Sequence, residues 1–317
     1  MMSGETWLFR FLEMGHGFLV CLCVVLAVAF FTLVERKSLA AFQLRRGPEK
    51  VGVLGLGQPI ADALKLASKG WVIPFRANVM LYLVGPFISF FISFSMWYLL
   101  PFESQIVSLK WAVIWFLCLS SLNVYGVIVS GWASNSKYSM LGTMRGVAQV
   151  ISYEISMGLL MLFPAVLGLS FEVFEIFCGQ SWMWIGFVSY VALVSWILTM
   201  LAEVQRPPFD LAEGESELVS GYHVEYGGMG FTLLFLAEYA CLLMVGFMLV
   251  GLFFGALEEF SVVFFGIMVS WCSVWLRASV PRSRYDQLMM LSWKSLCPLG
   301  LGSAVPVMIM KVFSGLG

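Results

Sequence analysis

Five carboxylates, Glu203, Asp210, Glu213, Glu215 and Glu217, fall within 15 residues, and Arg206 is the only cation among them. Three more acids interrupt or close apolar runs. Glu154 follows Val150-Ile-Ser-Tyr, Glu238 lies in Phe235-Leu-Ala-Glu-Tyr-Ala next to Tyr239, and Glu35 ends the first apolar run. A carboxylate at membrane depth is expensive unless it is paired, protonated or wetted, so such groups usually mark ion or proton traffic or a charged contact. Burial raises a carboxylate's pKa and a neighbouring arginine lowers it. Buried acids with Arg145 and Arg206 nearby are therefore a plausible proton-passing set. Two plainer readings compete: fixed structural ion pairs for the buried acids, and a solvated face for Glu213-Gly-Glu-Ser-Glu217. Glu213 and Glu217 share a helical face and repel each other unless a cation sits opposite. The loop with Arg277, Arg282, Arg284 and Lys294 is the obvious counterpart, although basic anchoring of a membrane loop accounts for part of that cluster.

The elements that position these groups must lie in lipid. Of 317 residues, 60% are hydrophobic and 12% charged, about half the charge of a soluble domain, and mean hydropathy is +0.91. The expectation is one all-α integral membrane domain over 1–317, because apolar runs recur without a polar linker. Net charge is −1, which says nothing about partners. Nucleic-acid binding is not expected, since the basic residues sit in short loops. The seven cysteines lie mostly in apolar runs without CxxC spacing, and there are two histidines, so no protein-held zinc or iron–sulfur site is expected. No cleavable targeting segment is expected, since the first run is long enough to span and no small-residue cleavage site precedes Glu35.

Eight runs reach spanning length, at about 14–34, 79–100, 111–131, 147–169, 184–202, 229–255, 262–280 and 296–313. Loops after the odd-numbered runs hold 15 of the 18 Lys and Arg; Arg10, Lys110 and Lys311 fall on the other side. That asymmetry places the odd-to-even loops in the cytoplasm or matrix and both termini opposite. In the long first inner loop, Ile60, Ala63, Leu64 and Ala67 recur at helical spacing after Pro59, which predicts a short amphipathic helix at the membrane surface. Gly52, Gly55 and Gly57 lack a βαβ context and read as turn glycines rather than a dinucleotide fingerprint.

Nearly the whole chain resembles subunit 1 of respiratory NADH:quinone oxidoreductase (complex I). The resemblance rests on Val34-Glu-Arg-Lys37, Gln43-Leu-Arg-Arg-Gly-Pro48, Gly57-Gln-Pro-Ile-Ala-Asp-Ala-Leu-Lys-Leu66, Gly142-Thr-Met-Arg145 and Ile151-Ser-Tyr-Glu154. It continues through Pro208-Phe-Asp-Leu-Ala-Glu-Gly-Glu-Ser-Glu-Leu-Val-Ser-Gly221, Val224-Glu-Tyr-Gly-Gly228, Leu236-Ala-Glu-Tyr239, Arg284-Tyr-Asp-Gln-Leu-Met289 and Leu291-Ser-Trp-Lys294. It implies eight transmembrane helices with a long tilted first helix and an amphipathic surface helix. It also implies the membrane end of a quinone chamber under the hydrophilic arm, joined to carboxylates leading toward antiporter-like subunits. Ubiquinone is then a substrate. No flavin or iron–sulfur cluster is implied on this chain, since electrons arrive from a neighbouring subunit.

Carried over by motif, Arg36, Asp62, Arg277 and Arg282 match positions lining or supporting the quinone cavity. Glu154, Glu203, Asp210, Glu213, Glu238 and Tyr239 match positions of the proton path, and Glu215, Glu217 and Glu225 belong to the same acidic stretch. Two departures bear on local geometry: Lys69 is followed by Gly70-Trp71 where the family often has Lys-Glu, and Gln205-Arg-Pro-Pro-Phe209 replaces Asn-Arg-Ala/Thr-Pro-Phe. The implied partners are the other complex I subunits and membrane lipid, and the compartment is the mitochondrial inner membrane, with a bacterial plasma membrane as the alternative. Two other functions stay open. A coupling subunit of an energy-converting hydrogenase would show no quinone contact. A docking anchor for the hydrophilic arm would keep pumping after Glu154 and Glu238 are neutralised together.

Overall fold

A computed structural model of the chain describes residues 2–100, 109–212, 214, 221–255 and 257–314. Glu213, Glu215 and Glu217 lie outside the described residues. Helices α1 (Met2–Phe42), α2 (Gln58–Ser68), α3 (Val79–Ser95), α4 (Ala112–Ala133), α5 (Lys137–Gly168), α6 (Val173–Cys178), α7 (Ile185–Val188) and α8 (Tyr190–Glu203) follow one another. After the acidic stretch come α9 (Gly228–Phe253), α10 (Glu259–Ser279), α11 (Tyr285–Leu291) and α12 (Cys297–Ser314), the last two joined by a π-helical turn over Ser292–Leu296. No strand occurs among the described residues.

Among the described residues, seven helical stretches are long and apolar enough to cross a membrane: Gly17–Phe42, Val79–Leu99, Ala112–Ala133, Lys137–Gly168, Gly228–Phe253, Phe260–Ser279 and Tyr285–Phe313. The run expected to cross at 184–202 is broken into α7 and α8. Ser189 sits between them with non-helical φ −136° and ψ 82°, and its side chain accepts a hydrogen bond from the Ala192 amide. A serine that caps a new helix competes with continuing the old one. The 14 residues of α8 span roughly 21 Å, short of a hydrocarbon core of about 30 Å. At the other extreme, the 41 residues of α1 extend roughly 60 Å. The last expected run, 296–313, belongs to a longer helical stretch that begins at Tyr285.

α9 is the axis of the bundle. Every residue from Tyr239 to Phe253 is buried, as befits a helix that is apolar all round. Its upper half carries Glu238 and Tyr239, so whatever faces those groups is protein, not lipid.

α3 and α4 lie against each other through two reciprocal seats. A Cβ added at Gly85 would meet the Ser130 backbone at 3.0 Å, and one added at Gly126 would meet the Ser89 backbone at 3.0 Å. Small residues four apart on both helices let the backbones close up, a packing mode favoured in lipid, where apolar side chains give little advantage to helix pairing.

Helix α2 forms where Pro59 predicted it, with Pro59 in its first turn. Ile60 and Leu64 point away from the rest of the chain.

Candidate ion-pair and carboxylate site

The charged groups collect where α1, α8, α9 and α10 end or pass one another. Glu35, two residues before Lys37 on α1, is buried. Its Oε1 lies 2.6 Å from Arg277 Nη1 and 3.5 Å from Arg206 Nη1. Its Oε2 accepts a hydrogen bond from the Tyr239 hydroxyl. Arg206 Nε lies 2.8 Å from Glu238 Oε1, and its guanidinium carbon sits 4.1 Å from the centre of the Tyr239 ring. Two carboxylates, two guanidiniums and a phenol thus join four segments distant in sequence. Arg206 is the hub, touching both acids and the aromatic face. A planar, weakly hydrated guanidinium suits that place better than a lysine would.

Two ion pairs of sequence-selected residues stand apart from this network. Arg36 Nη1 meets Asp62 Oδ2 at 2.7 Å, tying α1 to α2, while Gln58 Nε2 donates to Asp62 Oδ1 at 2.9 Å. Arg282 Nη2 donates to Asp210 Oδ2 at 3.1 Å. A Cβ added at Gly214 would lie 3.2 Å from Arg282 Nη1, so this guanidinium reaches into the acidic stretch. The Ser283 amide and hydroxyl both donate to the Pro208 carbonyl, at 3.0 and 3.1 Å. Of the basic residues expected opposite Glu213 and Glu217, which lie outside the described residues, Arg282 faces Asp210 and Arg277 turns to Glu35.

On the far side of Glu238 is a cavity of about 50 Å³ between α3, α4, α5 and α9, its wall mostly apolar with several polar groups. Glu203 and Glu238 line it, together with Asn123, Ser89, Ser120 and Cys241. Glu203 Oε2 is sealed from solvent and has no hydrogen-bond partner. Cys241 lies within electrostatic reach of both Glu203 and Glu238, and Glu154 within reach of Glu203. Glu154 itself is partly buried on α5 and bonded to Ser121 of α4. The sequence-selected acids of the spans thus form a row, Glu154, Glu203, Glu238 and Glu35, with the cavity in the middle.

Residues 202–212 and Gly221 are seated on α5. Gln149, fully buried, donates from Nε2 to the Ala202 carbonyl at 2.8 Å and to the Phe209 carbonyl at 2.7 Å. A Cβ at Gly142 would meet Gly221 Cα at 3.0 Å, and one at Gly146 would meet Ala212 Cβ at 2.9 Å. Gln205 takes a left-handed φ of 54° just past α8, a conformation a side chain other than Gly or Asn adopts reluctantly. At the far end, Tyr82 and Tyr226 stack with centroids 4.3 Å apart. Tyr82 donates to the Glu225 carbonyl at 2.7 Å, and Tyr226 donates to the Tyr82 and Ser130 carbonyls at 3.2 Å each. Burial pushes the Tyr226 phenol well above its ordinary pKa. Glu225 is held here by its backbone; its partly exposed carboxylate is not part of the network. Gln149, Asn123 and the two tyrosines escaped the sequence reading. The available signal was a lone amide in an otherwise apolar run.

Among the described residues, no group of three or more His, Cys, Asp or Glu is placed to hold a metal ion.

Helices of spanning length, a buried axis and ion pairs sealed between their ends define a multi-pass membrane protein with charge held inside it. Residues 16–308 match the family model described as NADH dehydrogenase. Among the relatives, "NADH-ubiquinone oxidoreductase chain 1" of Heterololigo bleekeri is 47% identical over 293 residues, covering 90% of this chain and 93% of that one. The proteins of the same name from Aedes aegypti and Branchiostoma lanceolatum are each 42% identical, covering 95% and 96% of this chain and 97% and 98% of theirs. The chain belongs to the NADH dehydrogenase subunit 1 family.

Proposed function

We propose that this chain is the membrane subunit of NADH:ubiquinone oxidoreductase that closes the quinone chamber and couples quinone reduction to proton translocation. The observation that carries the reading is the buried network of Glu35, Arg206, Glu238 and Tyr239, with the exposed Arg277 at its rim, continuous with the cavity at Glu203. Charge is costly to hold at such depth, and a purely adhesive membrane anchor has no use for it. The relatives' name supports membership of an oxidoreductase complex acting on ubiquinone. Their identity over nearly full length, with the seven apolar helices, supports a multi-pass protein of the mitochondrial inner membrane.

The whole chain acts as one membrane domain. α7 and α8 together make the eighth crossing, a short one that ends inside the protein at Glu203, and α1 lies tilted so that its length fits the bilayer. α2 lies on the membrane surface with Ile60 and Leu64 toward lipid. Arg36, Asp62, Arg277 and Arg282 border the quinone cavity. Glu154, Glu203, Asp210, Glu213, Glu238 and Tyr239 carry the proton path, with Glu215, Glu217 and Glu225 on its acidic approach. Partners are the quinone-site subunits of the hydrophilic arm, which deliver electrons, and the antiporter-like membrane subunits. Reduction of the quinone to quinol takes two electrons and two protons. Charge appearing in a tight, low-dielectric site acts strongly on nearby ion pairs. Arg282–Asp210 and Arg277–Glu35 come from adjacent parts of one segment, so a displacement of that segment is felt by both the acidic stretch and the buried network. Two arrangements of the 203–221 segment then alternate.

The test is Glu238→Gln in coupled membranes, with assembly checked on native gels. Loss of at least half of the proton yield per NADH in assembled complex is expected. A wild-type yield together with wild-type quinone turnover sinks the reading.

A further inference from the structure

We infer that Asn123 is a positioning residue that holds water in the cavity between Glu203 and Glu238; the inference rests on the proton-path reading above and deepens it. Asn123 lies midway along α4, a helix of 22 residues, and so at the depth of the hydrocarbon core. An amide there needs partners, because lipid supplies none. Within the protein it finds one, and a weak one: Nδ2 donates to Cys241 Sγ at 3.6 Å. Its Oδ1 is sealed from solvent without a hydrogen-bond partner. Leaving an acceptor in that state is costly.

The cavity that Asn123 lines removes that cost. Its volume of about 50 Å³ admits about three or four waters, at roughly 10–15 Å³ of accessible space each, and a buried water needs two to four polar partners. The wall offers them. Glu203 Oε2 is a second sealed acceptor without a partner, Glu238 stands across from it, and the Ser89 and Ser120 hydroxyls are on α3 and α4. Water donates to Asn123 Oδ1 and to Glu203 Oε2 at once, satisfying two acceptors that cannot satisfy each other. The rigid seats of α3 on α4 keep the wall that carries Asn123 at a fixed distance, so the water is held rather than squeezed out. Asn123 does not itself exchange a proton in this arrangement; it orients the water that does.

Two experiments on the assembled complex test this. In the first, wild-type complex is footprinted with hydroxyl radicals generated in ¹⁸O-water. The peptide containing Cys241 is expected to be oxidised despite its burial, and absence of modification there overturns the inference. In the second, Asn123→Leu keeps the size and removes the acceptor. Expected are at least a twofold fall in protons translocated per NADH, loss of the Cys241 footprint, and recovery of both in Asn123→Ser. A wild-type proton yield in assembled Asn123→Leu complex overturns it. Glu203→Gln separates the two levels of the argument. If Glu203→Gln lowers the yield and Asn123→Leu does not, the proton path stands and the role of Asn123 falls. If Glu203→Gln is without effect, the path itself is wrong. Should Asn123→Leu fail to assemble, the wild-type footprint alone decides.

Discussion

Replacing Gln149 by Leu should release the acidic segment from α5 without emptying the core. The two side chains are close in volume, so the packing change is small. What is lost is a donor that bridges two carbonyls, at 2.8 Å to Ala202 and 2.7 Å to Phe209. The Ala202 carbonyl keeps a bond from the Gln205 amide, so its loss is that of an ordinary hydrogen bond, about 1 kcal/mol. The Phe209 carbonyl likewise keeps a bond from the Leu211 amide, at 3.1 Å, so its loss is also about 1 kcal/mol. Together these weaken the seating of residues 202–209 by about 2 kcal/mol, or ~30-fold in the ratio of docked to undocked states. Amide hydrogen exchange of peptides covering 203–212 in the assembled complex reads that ratio directly. Protection should fall about 30-fold there, while α9 stays unchanged. Quinone reductase turnover should fall with it, since Arg282–Asp210 depends on the same segment. A change below about threefold in exchange would refute the reasoning, because it would mean the Gly142 and Gly146 contacts seat the segment without the clamp.

Arg206→Leu leaves Glu35 and Glu238 in place with their shared cation gone. Breaking a buried pair from one side costs about 3–5 kcal/mol, so the complex should be scarce on native gels and melt early; normal yield and melting would show that Arg277 alone suffices. Gly126→Val places a branched side chain where even a Cβ meets the Ser89 backbone at 3.0 Å, and should prevent α3 and α4 from closing. Loss of a disulfide formed between cysteines introduced at 81 and 134 would report the separation, and unchanged cross-linking would count against the tight seat. Asp62→Asn breaks a pair that is half open to solvent on the Arg36 side and worth at most about 1 kcal/mol. Melting should therefore be unchanged while the KM for quinone rises severalfold; an unaltered KM would remove Asp62 from the cavity border.

The spans and the basic asymmetry were legible because lipid imposes a simple rule on length and composition. Seven of the eight runs meet it in the structure. The eighth was read through Ser189 because hydropathy is blind to a side chain that caps its own downstream amide. Burial of α9 over Tyr239–Phe253 was not foreseeable from apolarity alone, since the more apolar Gly17–Phe42 stretch of α1 is mostly not buried. In the site, residue type picked out the acids and arginines, but partners depend on which segments meet. Arg277 and Arg282 looked like equals opposite the acidic stretch, and five residues of separation send one to Glu35 and the other to Asp210. Gln149 and Asn123 were passed over because a single uncharged amide does not disturb a hydropathy profile. Their importance comes from backbone carbonyls and a cavity that exist only in three dimensions.

The paired seats of α3 and α4 also constrain how this chain can vary. Gly85 faces Ser130 and Gly126 faces Ser89, each glycine accepting the backbone of the residue opposite. A methyl gained on one helix has no room unless the other recedes, and receding at one seat opens the second a single turn away. The four positions are therefore one inherited unit. Relatives should exchange the small residue across a seat in a single coupled step or not at all, and a lineage that widens one seat should carry a larger side chain in the gap that opens at the other.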